Sequence, residues 1–421
     1  MNRRAVAAWC FYDWAITASH AVVDTFIFSV YFTRSVAPTP EQGTAAWSHA
    51  IAAGGLLVAL LSPILGAIAD RAGRRKPWIG AFTAASVVAL AALYWVTPEP
   101  SSMTLALVVV AAATVVRELA FVFFNAMLPT LAPPDRLGRV SGWGWAMGYA
   151  GGLVCLMIAL YGLVKADAPL FGLIGREAQE NVRAVAPLTA LWLALFALPL
   201  FLWTPDQPSS GIGWRRAVGD GLATLADTLR HAGRYRDVVW FLVASAFYRD
   251  GLATLVAFGG IYAAGSFGMS FQEILVFAIA LNVTAGLGAA GFSWVDDAIG
   301  AKAVILITLV GLIGFSGGLL LVHDKGWFWG LALGLGIFMG PAQSAGRSLL
   351  ARMSPPDMVA EMFGLYSLSG RAAAFVGPLA LGWATAAFDS QRAGMATILV
   401  FFLAGLVMML GVREPARESR P

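Results

Sequence analysis

Twelve stretches of about 20–25 predominantly apolar residues alternate with short polar segments along this chain. They lie near 6–33, 46–69, 78–97, 102–127, 140–164, 186–204, 238–264, 271–292, 302–322, 327–351, 361–386 and 392–412. A helix rises about 1.5 Å per residue, so each stretch can cross a hydrocarbon layer about 30 Å thick. Inside lipid a backbone has no water to bond, and an α-helix satisfies its polar groups within one segment. The pattern predicts an all-α membrane protein with twelve transmembrane helices.

The one long polar interruption is 205–237. It opens with the turn-rich run Thr204-Pro205-Asp206-Gln207-Pro208-Ser209-Ser210-Gly211. Trp214, Val218, Leu222, Leu225 and Leu229 then recur at helical spacing, with Arg215, Arg216, Asp220, Asp227 and Arg230 mostly on other faces. This predicts an amphipathic helix lying on the membrane surface. The chain thus divides into a six-helix bundle at 1–204, a linker at 205–237 and a second six-helix bundle at 238–421.

The halves echo each other. Leu131-Ala132-Pro133-Pro134-Asp135 follows span four, and Met353-Ser354-Pro355-Pro356-Asp357 follows span ten. In the same register Gly142 matches Gly364 and Gly148 matches Gly370. Asp70-Arg71-Ala72-Gly73 after span two is echoed by Asp297-Ala298-Ile299-Gly300 after span eight. Two echoes in loops on the same side argue for a duplicated, pseudo-symmetric unit.

Charge orients the spans. With the N-terminus inside, inner loops and ends carry eighteen Lys and Arg, including Arg413, Arg417 and Arg420, against six on the opposite side. By the positive-inside rule both termini are cytoplasmic, which predicts a multi-pass protein of the cytoplasmic (inner) membrane. Composition agrees: the chain is 59% apolar, 12% charged and has a mean hydropathy of +0.74, whereas soluble domains carry about 25% charged residues. The net charge of +4 therefore reflects topology, and nucleic acid is not an expected partner. Cys10, Cys155 and four scattered histidines form no metal-ligand spacing, so neither a metal nor a cofactor is expected.

Eight ionisable side chains lie deep within the apolar stretches: Asp13, Asp24, Glu118, Asp250, Arg117, Arg249, Arg347 and Arg371. Facing lipid, each would cost about 2.5–3.5 kcal/mol, so they must face protein or a wet cavity. In span one Asp13, Thr17, His20 and Asp24 recur on one helical face. Arg117 shares a face of span four with Phe121 and Asn125, while adjacent Glu118 points about 100° away. Span seven supplies Arg249 and Asp250, span ten Gln343 and Arg347, and span eleven Ser367 and Arg371. Polar groups concentrate on spans one, four, seven and ten. One expectation is inter-helix ion pairs that hold the halves together. The other is a central polar chamber, and pairs exchanging partners as the halves rock would be both.

Gly66-Ala67-Ile68-Ala69-Asp70-Arg71-Ala72-Gly73-Arg74-Arg75-Lys76 resembles the signature between helices two and three of the major facilitator superfamily. The resemblance implies two six-helix bundles with a central cavity lined by spans one, four, seven and ten. It also implies that Gly66, Asp70, Arg71, Gly73, Arg74 and Arg75 form a conformational latch. Asp70 can serve this by capping a helix N-terminus across the interface. Phe11-Tyr12-Asp13-Trp14-Ala15, Phe124-Asn125-Ala126-Met127-Leu128-Pro129, Gly138-Arg139-Val140-Ser141-Gly142-Trp143-Gly144-Trp145 and Tyr248-Arg249-Asp250-Gly251 narrow the likeness. They resemble the branch of autophagy-related vacuolar amino-acid effluxers and their bacterial homologues. The chain departs from that branch after Ala15, where Ile16-Thr17 leads to His20 and Asp24 in place of a small polar pair.

The expected function is secondary active transport of a small polar or zwitterionic solute by alternating access, with amino acids the class implied by the resemblance. Arg117 or Arg347 is expected to attract a substrate carboxylate, and Asp13, Asp24 or Asp250 an ammonium group. Glu118 or Asp250 is expected to carry a coupling proton. Other readings are efflux of larger amphipathic compounds, or a non-transporting receptor or scramblase on the same fold. No phosphate-binding Gly-x-x-x-x-Gly-Lys run is present, which disfavours an ATP-driven pump. Nothing in the sequence recommends an intramembrane enzyme. The glycine runs Gly144/Gly148/Gly152, Gly330/Gly334 and Gly336/Gly340 are expected to let helices approach closely.

Overall fold

The computed structural model describes residues 1–415, and most of them are helical. Arg417 and Arg420, counted above among the inner charges, lie outside the described residues.

Among the described residues, ten helices are individually long and apolar enough to cross a membrane. The eleventh span in space is Lys325–Met353, span ten, whose apolar run is diluted by glycines. The twelfth is span eleven, split into Val359–Ala373 and Val376–Phe388. Pro378 accounts for the split: it lacks an N–H, and its ring collides with the carbonyl four residues earlier. The remaining spans are one (Arg3–Val36), two (Pro40–Ala72), three (Lys76–Ala92), four (Met103–Ala126), five (Leu137–Ala159) and six (Val185–Trp203). Seven (Arg236–Phe267), eight (Phe271–Ile299), nine (Ala301–Leu321) and twelve (Gln391–Leu410) complete the set. The twelve form the two six-helix bundles of the major facilitator fold.

Span one is not one regular helix. Its α-helix ends at Ser19 and gives way to π-turns over His20–Phe26 and Phe32–Val36. A π-turn inserts extra residues per turn and tends to mark functional positions. The single polar stripe expected from regular spacing is therefore divided at His20.

In the first bundle, span one packs on spans five and six, and span four on spans two and three. In the second, span seven packs on spans eleven and twelve, and span ten on spans eight and nine. The bundles meet along spans two and eleven and along spans five and eight. Small residues make these seams possible. A Cβ on Gly66 would strike the Ala360 carbonyl, and one on Gly142 would strike Ser293. Gly144, Gly148 and Gly152 seat span five against Asp13 and Thr17 of span one. Gly334, Gly336 and Gly340 likewise meet neighbours, but Gly330 faces open space and makes no close approach.

The linker forms a helix at Trp214–Arg230 that lies along span two. Its buried seam is Ala217, Gly221, Leu225 and Thr228, with Gly221 against Ile68. Of the expected apolar stripe, Leu225 joins this seam, while Trp214, Leu222 and Leu229 are exposed, as side chains turned to a membrane surface would be. The small residues win the seam because they allow the two helix backbones to touch.

Candidate functional site

The bundles are closed at the end that carries both termini. Asp70, at the end of span two, accepts hydrogen bonds from the backbone N–H groups of Ala360 (3.1 Å) and Glu361 (2.8 Å). These are orphan donors at the start of span eleven, where a carboxylate also meets the positive end of the helix dipole. Arg75 steadies that carboxylate at 3.3 Å and donates to the Ala126 carbonyl of span four. Gly73 turns the chain at φ +89°, a conformation only glycine takes freely. Arg71 donates to Thr224 of the linker helix, and Arg74 lies 3.7 Å from Asp206. The symmetry-related seam repeats the device. Asp297, at the end of span eight, accepts from the backbone N–H of Arg139 in the first turn of span five (3.1 Å). The sequence echo between Asp70 and Asp297 held this information, but only packing shows that both carboxylates cap the opposite bundle.

Above this seam sits Arg347 of span ten, 3% exposed. Its Nη1 reaches Asp13 Oδ2 and Asn125 Oδ1, both at 3.0 Å. Its Nε donates to Ser141 Oγ at 2.9 Å and its Nη2 to the Ser141 carbonyl at 2.6 Å. The guanidinium also lies over the rings of Trp9 (4.7 Å) and Trp145 (5.6 Å). One side chain of the second bundle is thus plugged into spans one, four and five of the first. Such a planar, multidentate grip suits arginine rather than lysine.

A cavity opens on this plug. It is lined by Glu118, Phe121, Asn125, Trp145, Arg249, Gln343, Arg347, Phe363, Tyr366 and Ser367, drawn from both bundles. Its void is about 100 Å3, against about 10–15 Å3 needed to hold one water. The chamber is wet. Gln343 donates to the Tyr149 hydroxyl across the bundle seam at 3.0 Å. Arg249 is the distinctive member: its guanidinium lies 4.1 Å from the Tyr366 ring centre and donates to the Tyr366 carbonyl at 3.0 Å. Among the described residues it forms no ion pair, whereas Arg117, Arg347 and Arg371 each hold a carboxylate.

The cavity wall continues into a chain of charges. Arg117 Nη2 binds Asp24 Oδ2 at 2.5 Å, and the same oxygen lies 3.0 Å from His20 Nδ1. His20 Nε2 lies 3.6 Å from Glu118 Oε1, and Glu118 Oε2 receives Arg371 Nη2 at 2.8 Å. The last link joins the bundles. The π-turn at His20 lets His20 and Asp24 face span four here while Asp13, below, faces span ten.

Of the twelve expected site residues, Glu118, Asn125, Arg249, Gln343 and Arg347 line the cavity; Asp13, His20, Asp24, Arg117 and Arg371 stand behind it in ion pairs, and Thr17 and Asp250 lie away from both. Thr17 packs against Gly148 and Gly152 of span five. Asp250 is buried inside the second bundle, where it accepts from the Gly377 N–H at 2.8 Å. Ser141, Tyr149, Tyr366, Trp9 and Trp145 were not singled out as site residues by the sequence. Hydroxyls and rings are common in apolar helices, and only their convergence on Arg347, Arg249 and Gln343 distinguishes these.

Known proteins can now be compared. The sequence profile of the family described as "Vacuole effluxer Atg22 like" matches residues 44–418. The MFS-type transporter YxiO of Bacillus subtilis is 26% identical, over 97% of this chain and 94% of its own. Autophagy-related protein 22-1 of Penicillium rubens is 24% identical over 67% of this chain, but this chain spans only 50% of that longer protein. Among solved structures, the proton:xylose symporter XylE superposes with a TM-score of 0.74 at 14% identity, covering 98% of this chain and 96% of its own. FucP in the outward conformation gives 0.75 at 13% identity, covering 99% of both. These two likenesses speak to fold. The chain belongs to the Atg22-like family, a branch of the major facilitator superfamily of membrane transporters.

Proposed function

We propose that this transporter exports small zwitterionic solutes, amino acids foremost, by alternating access between bundles 1–204 and 238–421 joined by the linker 205–237. The observation that carries the reading is that the two bundles present opposite charges to one polar cavity. Arg249, from span seven, offers a guanidinium with no carboxylate of its own, and Glu118, from span four, offers Oε1, since Arg371 holds only its Oε2 and His20 stands 3.6 Å from Oε1. An α-amino acid presents the complementary pair. Its side chain would rest on Phe121, Trp145, Phe363 and Tyr366, which favours apolar or aromatic amino acids. This replaces Arg117 and Arg347 as carboxylate anchors, since both are already committed to Asp24 and Asp13. In this reading the basic loops set both termini in the cytoplasm, the Asp70 and Asp297 caps latch the cytoplasmic end, and the cavity opens outward.

Efflux would then proceed by exchange of these inter-bundle contacts for others at the outer end. The family description as an effluxer supports the direction. The aromatic wall also suits a larger amphipathic compound, which is the second reading. Counterflow in proteoliposomes containing only this protein is the test. Vesicles preloaded with one unlabelled amino acid should accumulate the labelled form transiently, and Arg249→Ala should abolish this. No counterflow across a panel of apolar, aromatic and polar amino acids would remove the reading.

A further inference from the structure

We propose that Asp250 and Thr254, beneath the break in span eleven, form a binding site for one monovalent cation, a proton or a sodium ion, that drives transport. The coupling role rests on the transporter reading above, but the site itself does not.

Asp250 is 2% exposed and Thr254 is 1% exposed. One carboxylate oxygen accepts from Gly377 N–H, at the start of the half-helix Val376–Phe388. The other, Oδ1, has no hydrogen-bond partner, and neither has Thr254 Oγ1 one turn along. The two lone oxygens converge on one point: a Cβ on Gly377 would collide with Thr254 Oγ1 and come within 3.0 Å of Asp250 Oδ1. Gly377 lets the broken span come this close.

The charges around the carboxylate do not balance it. Next to it on span seven, Arg249 is turned to Tyr366, and Tyr248 is a buried neutral hydroxyl. On span eleven Arg371 is held by Glu118. Span twelve presents Phe401 and Phe402 at Gly251, and its Arg392 is bound to the Leu320 and Val322 carbonyls. What remains is the positive end of a half-helix, worth about half a unit charge. A helix cap needs one acceptor oxygen, so capping explains Oδ2 and leaves Oδ1 and Thr254 unexplained. A single positive charge explains both. A proton on Oδ1 would donate to Thr254 Oγ1, while a sodium ion would take the two oxygens as ligands. Discontinuous membrane helices supply oxygen sites of this kind in general.

The test uses the purified full chain as wild type, Asp250→Asn and Thr254→Val. Asparagine still accepts from Gly377, and thermal unfolding checks that each variant is folded. Two readouts separate the ions: equilibrium binding of radiolabelled sodium, and the infrared carbonyl band of a buried carboxylic acid. If sodium is the ligand, binding near one per chain is lost in Asp250→Asn and weakened at least tenfold in Thr254→Val. If a proton is, the acid band is present in wild type, absent in Asp250→Asn and displaced in Thr254→Val. Should Asp250→Asn not fold, the Thr254→Val outcome decides. A wild type with neither sodium binding nor an acid band, or signals untouched by the variants, overturns the site. In proteoliposomes, Asp250→Asn should keep counterflow and lose gradient-driven accumulation; loss of both, or of neither, refutes the coupling role. Absence of amino-acid flux in wild type would refute only the substrate reading, because the binding measurements stand apart from it.

Discussion

Removing the charge of Asp13 should release the closed end of the protein. Asp13 is the only carboxylate paired with Arg347 among the described residues, and the side chains of both are 3% exposed. Asp13→Asn leaves the guanidinium its bonds to Asn125 and Ser141 but no counter-charge. Breaking a buried pair by removing one partner costs about 3–5 kcal/mol. The pair joins span one to span ten and so belongs to the state seen here, in which the bundles meet at the terminal end. If opening that end separates the two side chains, the variant penalises the closed state selectively. At about 1.4 kcal/mol per power of ten, the equilibrium shifts by roughly a hundredfold to a few thousandfold.

Distances between paired spin labels read this shift directly. One pair, at Arg74 and Asp357, spans the terminal end; the other, at Glu41 and Asp389, spans the opposite end, and all four positions are exposed. Both native cysteines are buried, so labels attach where new ones are placed. In Asp13→Asn the first distance should lengthen and the second shorten. If both distributions match the wild type in a folded variant, the Asp13–Arg347 pair does not set the conformational balance and the reasoning fails.

Further outcomes follow from the same contacts. Gly66→Leu should hold the terminal end apart, since even a Cβ there strikes the Ala360 carbonyl; the Arg74–Asp357 label distance would show it, and an unchanged short distance would refute it. Asp70→Ala should weaken the latch by about 0.5–2 kcal/mol, the range for losing a helix cap, with Asp70→Asn milder; label-distance populations again measure it, and equal effects would mean the cap is not what matters. Arg249→Lys keeps the charge but loses the planar stacking on Tyr366, so KM for the solute should rise about 10–100-fold, the size of one charged hydrogen bond. A double-mutant cycle on Glu118→Gln and Arg371→Gln, read by transport rate or unfolding, should give a coupling of about 0.5–3 kcal/mol; additive effects would show that this link between bundles is incidental.

Much of the fold was legible because lipid is an unforgiving solvent. A span has to be apolar for about 20 residues and to satisfy its own backbone, so composition marked ten of the twelve segments outright, while glycines in span ten and the break in span eleven weaken the signal there. The ends of span six and span nine moved by only a residue from their expected places, since charge and turn residues fence them closely. The Asp70 cap was legible too, because a carboxylate at the end of one helix has few uses except the start of another. The break in span eleven was signalled by Gly377-Pro378, whose chemistry is local.

Partner choice was not local. Regular spacing put Asp13, Thr17, His20 and Asp24 on one stripe, yet they reach three different neighbours: Arg347, the glycine face of span five, and the Arg117–Glu118 pair. A π-turn that no residue type announces rotates the lower half of the stripe away from the upper. The sequence by itself determined that four acids and four arginines must be hidden from lipid, because the cost of exposing them depends only on their charge. Which arginine was left without a carboxylate among the described residues depended on distances between helices far apart in the chain, and the packing of the two bundles assigned that place to Arg249.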